Sequence, residues 1–185
     1  MRIVAGSRRG LYLDAPEGTT TRPTSERARE SLFNILATPK HAKKWQDRPV
    51  ADFFAGTGAL GLEALSRGAR HCCFLENDPA ASKVLSTNIN KARFREATTI
   101  LNKDATKPPT AKSPCGLIFF DPPYRDLVVE NSLVAAHQKG WLATDGLAVL
   151  LPHPKAPFDC PSRFDVIDDR RYGATRFIFL EPAQG

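Results

Sequence analysis

A chain of 185 residues is long enough for one domain with a full core, and 42% hydrophobic residues with only 12 Gly give a globular composition rather than a fibrous one. No run approaches the ~20 apolar residues that span a bilayer, and Arg2, Arg8 and Arg9 interrupt the N-terminus before a signal-peptide core could form, so a cytoplasmic protein is expected. The formal net charge of +6 is uneven: residues 1–50 hold ten Lys+Arg against five Asp+Glu, residues 51–185 sixteen against fifteen. A basic segment on a nearly neutral domain is the footprint of a nucleic-acid binder, and a merely solvated surface is the bland account of it.

In chain order, "RIVAG" and "LYLDAP", separated by Ser7 to Gly10, read as a small hairpin. "TRPTSERARESLFNIL" predicts a helix: Pro23 precedes it, Thr24 or Ser25 caps it, Glu26 lies in its positive first turn, and Ala28, Leu32, Ile35 and Leu36 share one face. After a polar connection, "VADFF" predicts a strand and "GALGLEALSRG" a helix that Gly68 can close. "HCCFLE" is the next strand. Asp78 followed by Pro79 then starts a helix whose apolar face runs through Ala81, Val84, Leu85 and Ile89. "ATTIL", "GLIFF" and "GLAVLL" supply three more strands, and the prolines of Ala105 to Pro114 predict a connection without a regular helix. "RFDVID" and "ATRFIFL", joined by the short polar turn "DRRYG", predict a terminal hairpin and hence an antiparallel last strand. The expected fold is α/β, a doubly wound, mostly parallel sheet with its final strand reversed.

Three stretches carry chemistry. "GLIFFDPPYR" is an apolar run of the kind buried on both faces of a sheet, stopped by two prolines. It leaves Asp121 at the carboxyl end of a central strand, where open α/β sheets bind ligands; a strand stop is the bland alternative. "DFFAGTGALG" sets Gly56, Gly58 and Gly61 at a strand-to-helix junction, but no Lys-Ser/Thr follows, so it is not a Walker phosphate loop. Asp52 ahead of the glycines would repel a pyrophosphate and suits a cationic ligand such as an amino group. Glu76, twenty residues past Gly56, ends the following strand, a place for a carboxylate that accepts ribose hydroxyls. The four cysteines (Cys72, Cys73, Cys115, Cys160) lack C-x-x-C spacing, and the four histidines (His41, His71, His137, His153) lack ligand spacing. Buried, reduced thiols and no metal are expected.

The glycine stretch, the acids at Glu76 and Asp104 and "DPPY" together resemble the class I S-adenosylmethionine-dependent methyltransferases. "MRIVAGSRRG" and "RPTSERARESLFNIL" narrow the likeness to the RsmD-type enzymes that methylate N2 of a guanine in 16S ribosomal RNA. The resemblance implies a seven-stranded Rossmann-like sheet with a basic N-terminal hairpin arm over residues 1–24 and a methyltransferase domain over 25–185. It implies S-adenosyl-L-methionine contacts at Asp52, Phe54, Gly56, Gly58, Glu76, Asn77 and Asp104, and catalytic Asp121, Pro122, Pro123 and Tyr124. The position after the ribose acid, often apolar in that family, is Asn77 here. Substrate contacts are expected at Arg8, Arg9, Arg22, Thr24 and Tyr124, with 16S ribosomal RNA in an assembling small subunit as the partner of a monomer.

Such chemistry suits the residues. An exocyclic guanine amine has its lone pair delocalised into the ring, so it must be held in line with the methyl group while the Asp121 carboxylate and the Pro122 carbonyl accept its hydrogens. Tyr124 offers a face for the base. Two other functions remain open on sequence: an amino-methyltransferase acting on DNA adenine or cytosine or on a protein glutamine amide, and an RNA-binding module without catalysis.

Overall fold

The computed structural model describes residues 1–16, 25–122 and 128–184. Four apolar runs, β1 (Pro49–Phe53), β2 (His71–Leu75), β3 (Thr98–Leu101) and β4 (Cys115–Phe120), form a parallel sheet that β5 (Leu142–Leu150) extends. β6 (Phe164–Tyr172) and β7 (Thr175–Pro182) are antiparallel, giving the order β3-β2-β1-β4-β5-β7-β6. Every residue of β4 is buried, as a central strand covered on both faces requires.

Helices cover the two faces through separate cores. On one side α1 (Glu26–Leu36), α2 (Pro39–Trp45), α3 (Ala59–Ser66) and α4 (Pro79–Ala92) pack Phe33, Trp45, Leu62 and Leu85 onto Val50, Phe74 and Phe119. On the other, α5 (Val128–Gln138) packs Val129, Leu133 and Ala136 onto Phe53, Ile118 and Phe120. Local signals set the helix starts. The Ser25 hydroxyl accepts from the Ala28 N–H at 3.1 Å, and the Asp78 carboxylate from the Ala81 N–H at 2.7 Å, with Pro79 in the first turn.

The doubly wound sheet and reversed last strand follow the sequence expectation, with four differences of detail. α2 stands where a polar connection was expected, held by buried Trp45, whose indole N–H donates to Leu36 O at 3.0 Å. α5 was not read, although its buried Val129, Leu133 and Ala136 recur at helical spacing. The polar residues of "DRRYG" lie within β6; Tyr172 pairs with Thr175, so the turn is Gly173-Ala174, with Gly173 at φ 57°. Cys160 is exposed rather than buried. Burial raises the thiol pKa of Cys72, of Cys73 to about 11 and of Cys115 to about 12, which leaves them unreactive.

The segment 102–114 has no helix, as its prolines predict; it is pinned by the Trp141 indole N–H on Pro109 O at 2.7 Å. At the N-terminus, Arg2 and Tyr12 bridge an antiparallel hairpin that buries Ile3 and Leu13. Its turn lies hard against the carboxyl end of α3: Ser7 N–H donates to Ser66 O at 2.7 Å, and a Cβ on Gly6 (φ 84°) would come within 1.9 Å of that oxygen. No helix among the described residues is long and apolar enough to cross a membrane.

Candidate cofactor and catalytic site

The carboxyl ends of β1, β2 and β4 bring Asp52, Glu76 and Asp121 together. Asp52 is 1% exposed, and its Oδ2 accepts from Gly61 N–H at 2.9 Å, so a strand carboxylate caps the first turn of α3. Its Oδ1 is buried with no hydrogen-bond partner among the described residues. Burial drives the Asp52 pKa well above the usual carboxylate value; the Gly61 N–H opposes this, while the carboxylates of Asp121 and Glu76 push the same way. A buried unpaired acceptor among three acids fits a cation that carries N–H donors.

Ahead of α3 the chain turns sharply. Phe54 takes φ 67°, a left-handed conformation costly for a bulky residue and most often found at functional sites. Gly58 takes φ 81°, and a Cβ there would lie 2.4 Å from Leu85 Cδ1, so this position admits only glycine without repacking. Glu76 shapes the turn from the next strand: Gly56 N–H donates to Oε2 at 2.7 Å and Asp78 N–H to Oε1 at 2.8 Å. A carboxylate has about four acceptor sites, so Glu76 keeps capacity for two ribose hydroxyls.

Beside Glu76 lies a small recess of about 30 Å³ lined by Phe54, Leu75, Asn77, Lys103, Asp104 and Ala105. The structure thus brings Phe54, Glu76, Asn77 and Asp104 together. The Asp104 carboxylate accepts from the Thr106 N–H at 2.8 Å and hydroxyl at 2.7 Å, which lowers its pKa. A wider groove of about 550 Å³ along Ser82, Arg95, Thr98 and Asn102 borders β3 and holds none of these acids. Asp121 follows β4 directly, its N–H 3.5 Å from Phe53 O, and Pro122 is buried. Pro123, Tyr124, Arg22 and Thr24 lie outside the described residues. Among the described residues, no group of three or more His, Cys, Asp or Glu is placed to hold a metal ion.

Arg8 requires a correction. Its Nε donates to Ala92 O at 2.6 Å, and its guanidinium lies 5.1 Å from the centre of the Phe94 ring. Ala92 ends α4 and Ser66 ends α3, so Arg8 sits at the carboxyl ends of these helices, the end of the sheet away from Gly56 and Asp121. A cation there offsets the negative helix end and stands away from Asp121, where a substrate contact was expected. Arg9 is exposed on the same hairpin turn.

Sequence reasoning also missed two residues behind the site. Asn88 is fully buried; its amide donates to Thr57 O at 2.9 Å and Asp14 O at 3.1 Å while Oδ1 accepts from Asp14 N–H at 2.8 Å, tying the N-terminal hairpin to the glycine turn. Its signal was a polar residue on the apolar face that Leu85 and Ile89 define. Glu63, also fully buried, accepts from the N–H groups of Val4 at 2.8 Å and Ala5 at 3.0 Å and from Arg67 at 2.8 Å and Arg29 at 3.4 Å.

Residues 1–181 match the family model described as Conserved hypothetical protein 95. The chain is 38% identical over 148 residues to the ribosomal RNA small subunit methyltransferase D of Escherichia coli K12, an alignment covering 80% of this chain and 72% of that one. The enzyme of the same description from Haemophilus influenzae is 29% identical over 181 residues, 96% of this chain and 91% of the other. Among solved structures, the yhhF protein of Escherichia coli superposes with a TM-score of 0.84 at 31% identity, covering 98% of this chain and 97% of that one.

Proposed function

The chain belongs to the small-subunit ribosomal RNA methyltransferase D family, and from that premise we propose that it methylates the exocyclic N2 amine of a guanine in 16S ribosomal RNA. S-adenosylmethionine would supply an electrophilic methyl group on a sulfonium, whose sulfur departs as a neutral thioether when the C–S bond breaks. The residues fit this donor. Asp52, with Oδ1 unpaired beside two further carboxylates, suits its positive charge and amino group. Glu76 would accept its ribose hydroxyls, and Phe54, Asn77 and Asp104 would flank its base at the mouth of a recess that is itself too small to enclose it. The single observation that carries the proposal is the meeting of this acid-lined glycine turn with Asp121-Pro122 at adjacent strand ends.

Asp121 and the Pro122 carbonyl hold the amine by accepting its hydrogens, which turns the nitrogen lone pair toward the methyl group. Proline fixes φ, so the carbonyl is held in place before the substrate arrives, a positioning effect of the kind that supplies several kcal/mol. The proton leaves to Asp121 directly or through water.

Small subunits from cells lacking the enzyme, incubated with protein and methyl donor and digested to nucleosides, test this by mass spectrometry. N2-methylguanosine is the expected product. Methyladenosine or methylcytidine, or methyl groups in protein alone, would overturn it.

A further inference from the structure

The β6–β7 hairpin is not explained by the cofactor site, and its tip lies on the catalytic end of the sheet. Leu150 pairs with both Phe120 and Ile178, so these three residues are level. β7 begins three residues before Ile178, at Thr175, which places the tip about 10 Å beyond the end of β4 at the ordinary rise of a strand. Asp121 follows Phe120 immediately. β4 and β6 are three strand spacings apart, about 14 Å. Tip and catalytic carboxylate therefore open onto the same side of the molecule.

The tip is braced and its outer residues are not. Arg176 donates through Nε and Nη2 to both oxygens of Asp169 at 2.9 and 2.7 Å, and through Nη1 to Ala156 O at 2.8 Å. One guanidinium thus locks β6, β7 and the loop that leaves β5. Arg170 pairs with Asp168 at 2.7 Å, so the two acids are neutralised. Arg171 is exposed and has no ion-pair partner among the described residues; it adds only a weaker pull on Asp169. Lys155, next to Ala156, is also exposed. Tyr172 is 52% exposed, one of three exposed large hydrophobic residues among those described. Charges on an edge strand guard against pairing with another sheet, but that role calls for no exposed aromatic ring.

Resting on the reading of this protein as an RNA methyltransferase, we propose that the hairpin tip is a second RNA-contacting surface: Tyr172 stacks an unpaired base while Arg171 and Lys155 hold phosphates of the strand that delivers the guanine. Tyr172 and Arg171 are neighbours on β6 and point to opposite faces of the hairpin, with Lys155 on the side of Arg171. The RNA strand therefore crosses the hairpin's open edge with a ring on one side and cations on the other, the two contacts that grip single-stranded RNA, and a braced tip loses little freedom on binding.

Unmethylated, protein-free 16S ribosomal RNA is the probe, titrated at several salt concentrations against wild type, Tyr172→Ala, Tyr172→Phe and the double variant Arg171→Ala/Lys155→Ala. Thermal unfolding and S-adenosylmethionine affinity are measured alongside and should not change. Tyr172→Ala is expected to bind about tenfold more weakly and Tyr172→Phe to recover, since stacking needs the ring and not the hydroxyl. The double variant should lower the logarithmic salt slope by about 1.4, two single-strand phosphate contacts. On small subunits KM should rise with kcat kept. RNA affinity and slope equal to wild type overturn the proposal, as does wild type that binds no RNA. A defect seen on small subunits but not on protein-free RNA assigns the tip to a ribosomal protein and overturns it too. Wild type that binds RNA with these tip effects but forms no N2-methylguanosine defeats the proposed reaction and leaves the tip standing.

Discussion

Replacing Glu63 with glutamine should destabilise the protein far more than one atom suggests. The carboxylate faces four donors, two on each oxygen: Val4 N–H and Arg29 Nε on Oε2, Ala5 N–H and Arg67 Nε on Oε1. A glutamine amide has one acceptor oxygen and two donors, so in either orientation two donors meet an NH₂ group. The charge is lost as well. Arg29 is fully buried, and burial already lowers its pKa, with Glu63 as the leading opposing influence. Breaking such a buried pair by altering one partner typically removes about 3–5 kcal/mol. At 2–4 °C per kcal/mol for a domain of this size, that is roughly 10 °C in Tm. Urea unfolding of wild type and Glu63→Gln measures the loss. Hydrogen exchange locates it, because the Val4 and Ala5 amides should lose protection before those of β4. A loss under about 1 kcal/mol, or unchanged exchange at Val4 and Ala5, would refute the reasoning.

Three further outcomes concern the site. Because burial raises the Asp52 pKa, the folded state holds that proton where the unfolded chain has lost it; stability should therefore fall as pH rises above about 3.9 through the raised value. Asp52→Asn should flatten this dependence, and parallel curves of unfolding free energy against pH would count against it. Glu76→Ala should weaken S-adenosylmethionine by about 1.5–3 kcal/mol in calorimetric titration, the range for hydrogen bonds to a charged group; unchanged affinity would move the nucleoside elsewhere. Asp121→Ala should leave cofactor affinity intact and slow single-turnover methyl transfer by ~10²-fold or more; a near-normal rate would remove Asp121 from its assigned role.

The sheet and the glycine turn were legible because local and global signals agree there. Apolar runs end in an acid, glycines follow at fixed offsets, and Asp78-Pro79 can start only a helix. What escaped the sequence depends on contacts far along the chain. Asn88 bridges Asp14 and Thr57, and neither spacing nor residue type predicts that pairing. α2 stands on the burial of Trp45 rather than on a regular apolar stripe. The β6–β7 tip was read as a turn because "DRRYG" is polar, yet an edge strand beyond the core can be polar throughout.

Charge is where sequence and structure part most clearly. The basic excess of residues 1–50 suggested a basic hairpin arm that grips RNA, but much of it is taken up by partners within the chain. Arg2 pairs with Glu26, Arg29 with Glu63, Lys44 with Glu181 and Arg48 with Asp145, and Arg8 closes the end of α4. Three of those acids lie beyond residue 50, in the part that looked nearly neutral. A count along the chain assigns a cation to a segment, whereas the field seen by RNA depends on which cations lack partners and which end of the sheet they occupy. In this fold the helices following strands run back from the catalytic end, so their carboxyl ends collect cations on the far side. Arg8 is held there by a carbonyl, while Arg171 and Lys155, from a segment with almost no net charge, stand exposed on the catalytic side. Position in the sheet, more than position in the chain, decides which basic residues can meet the substrate.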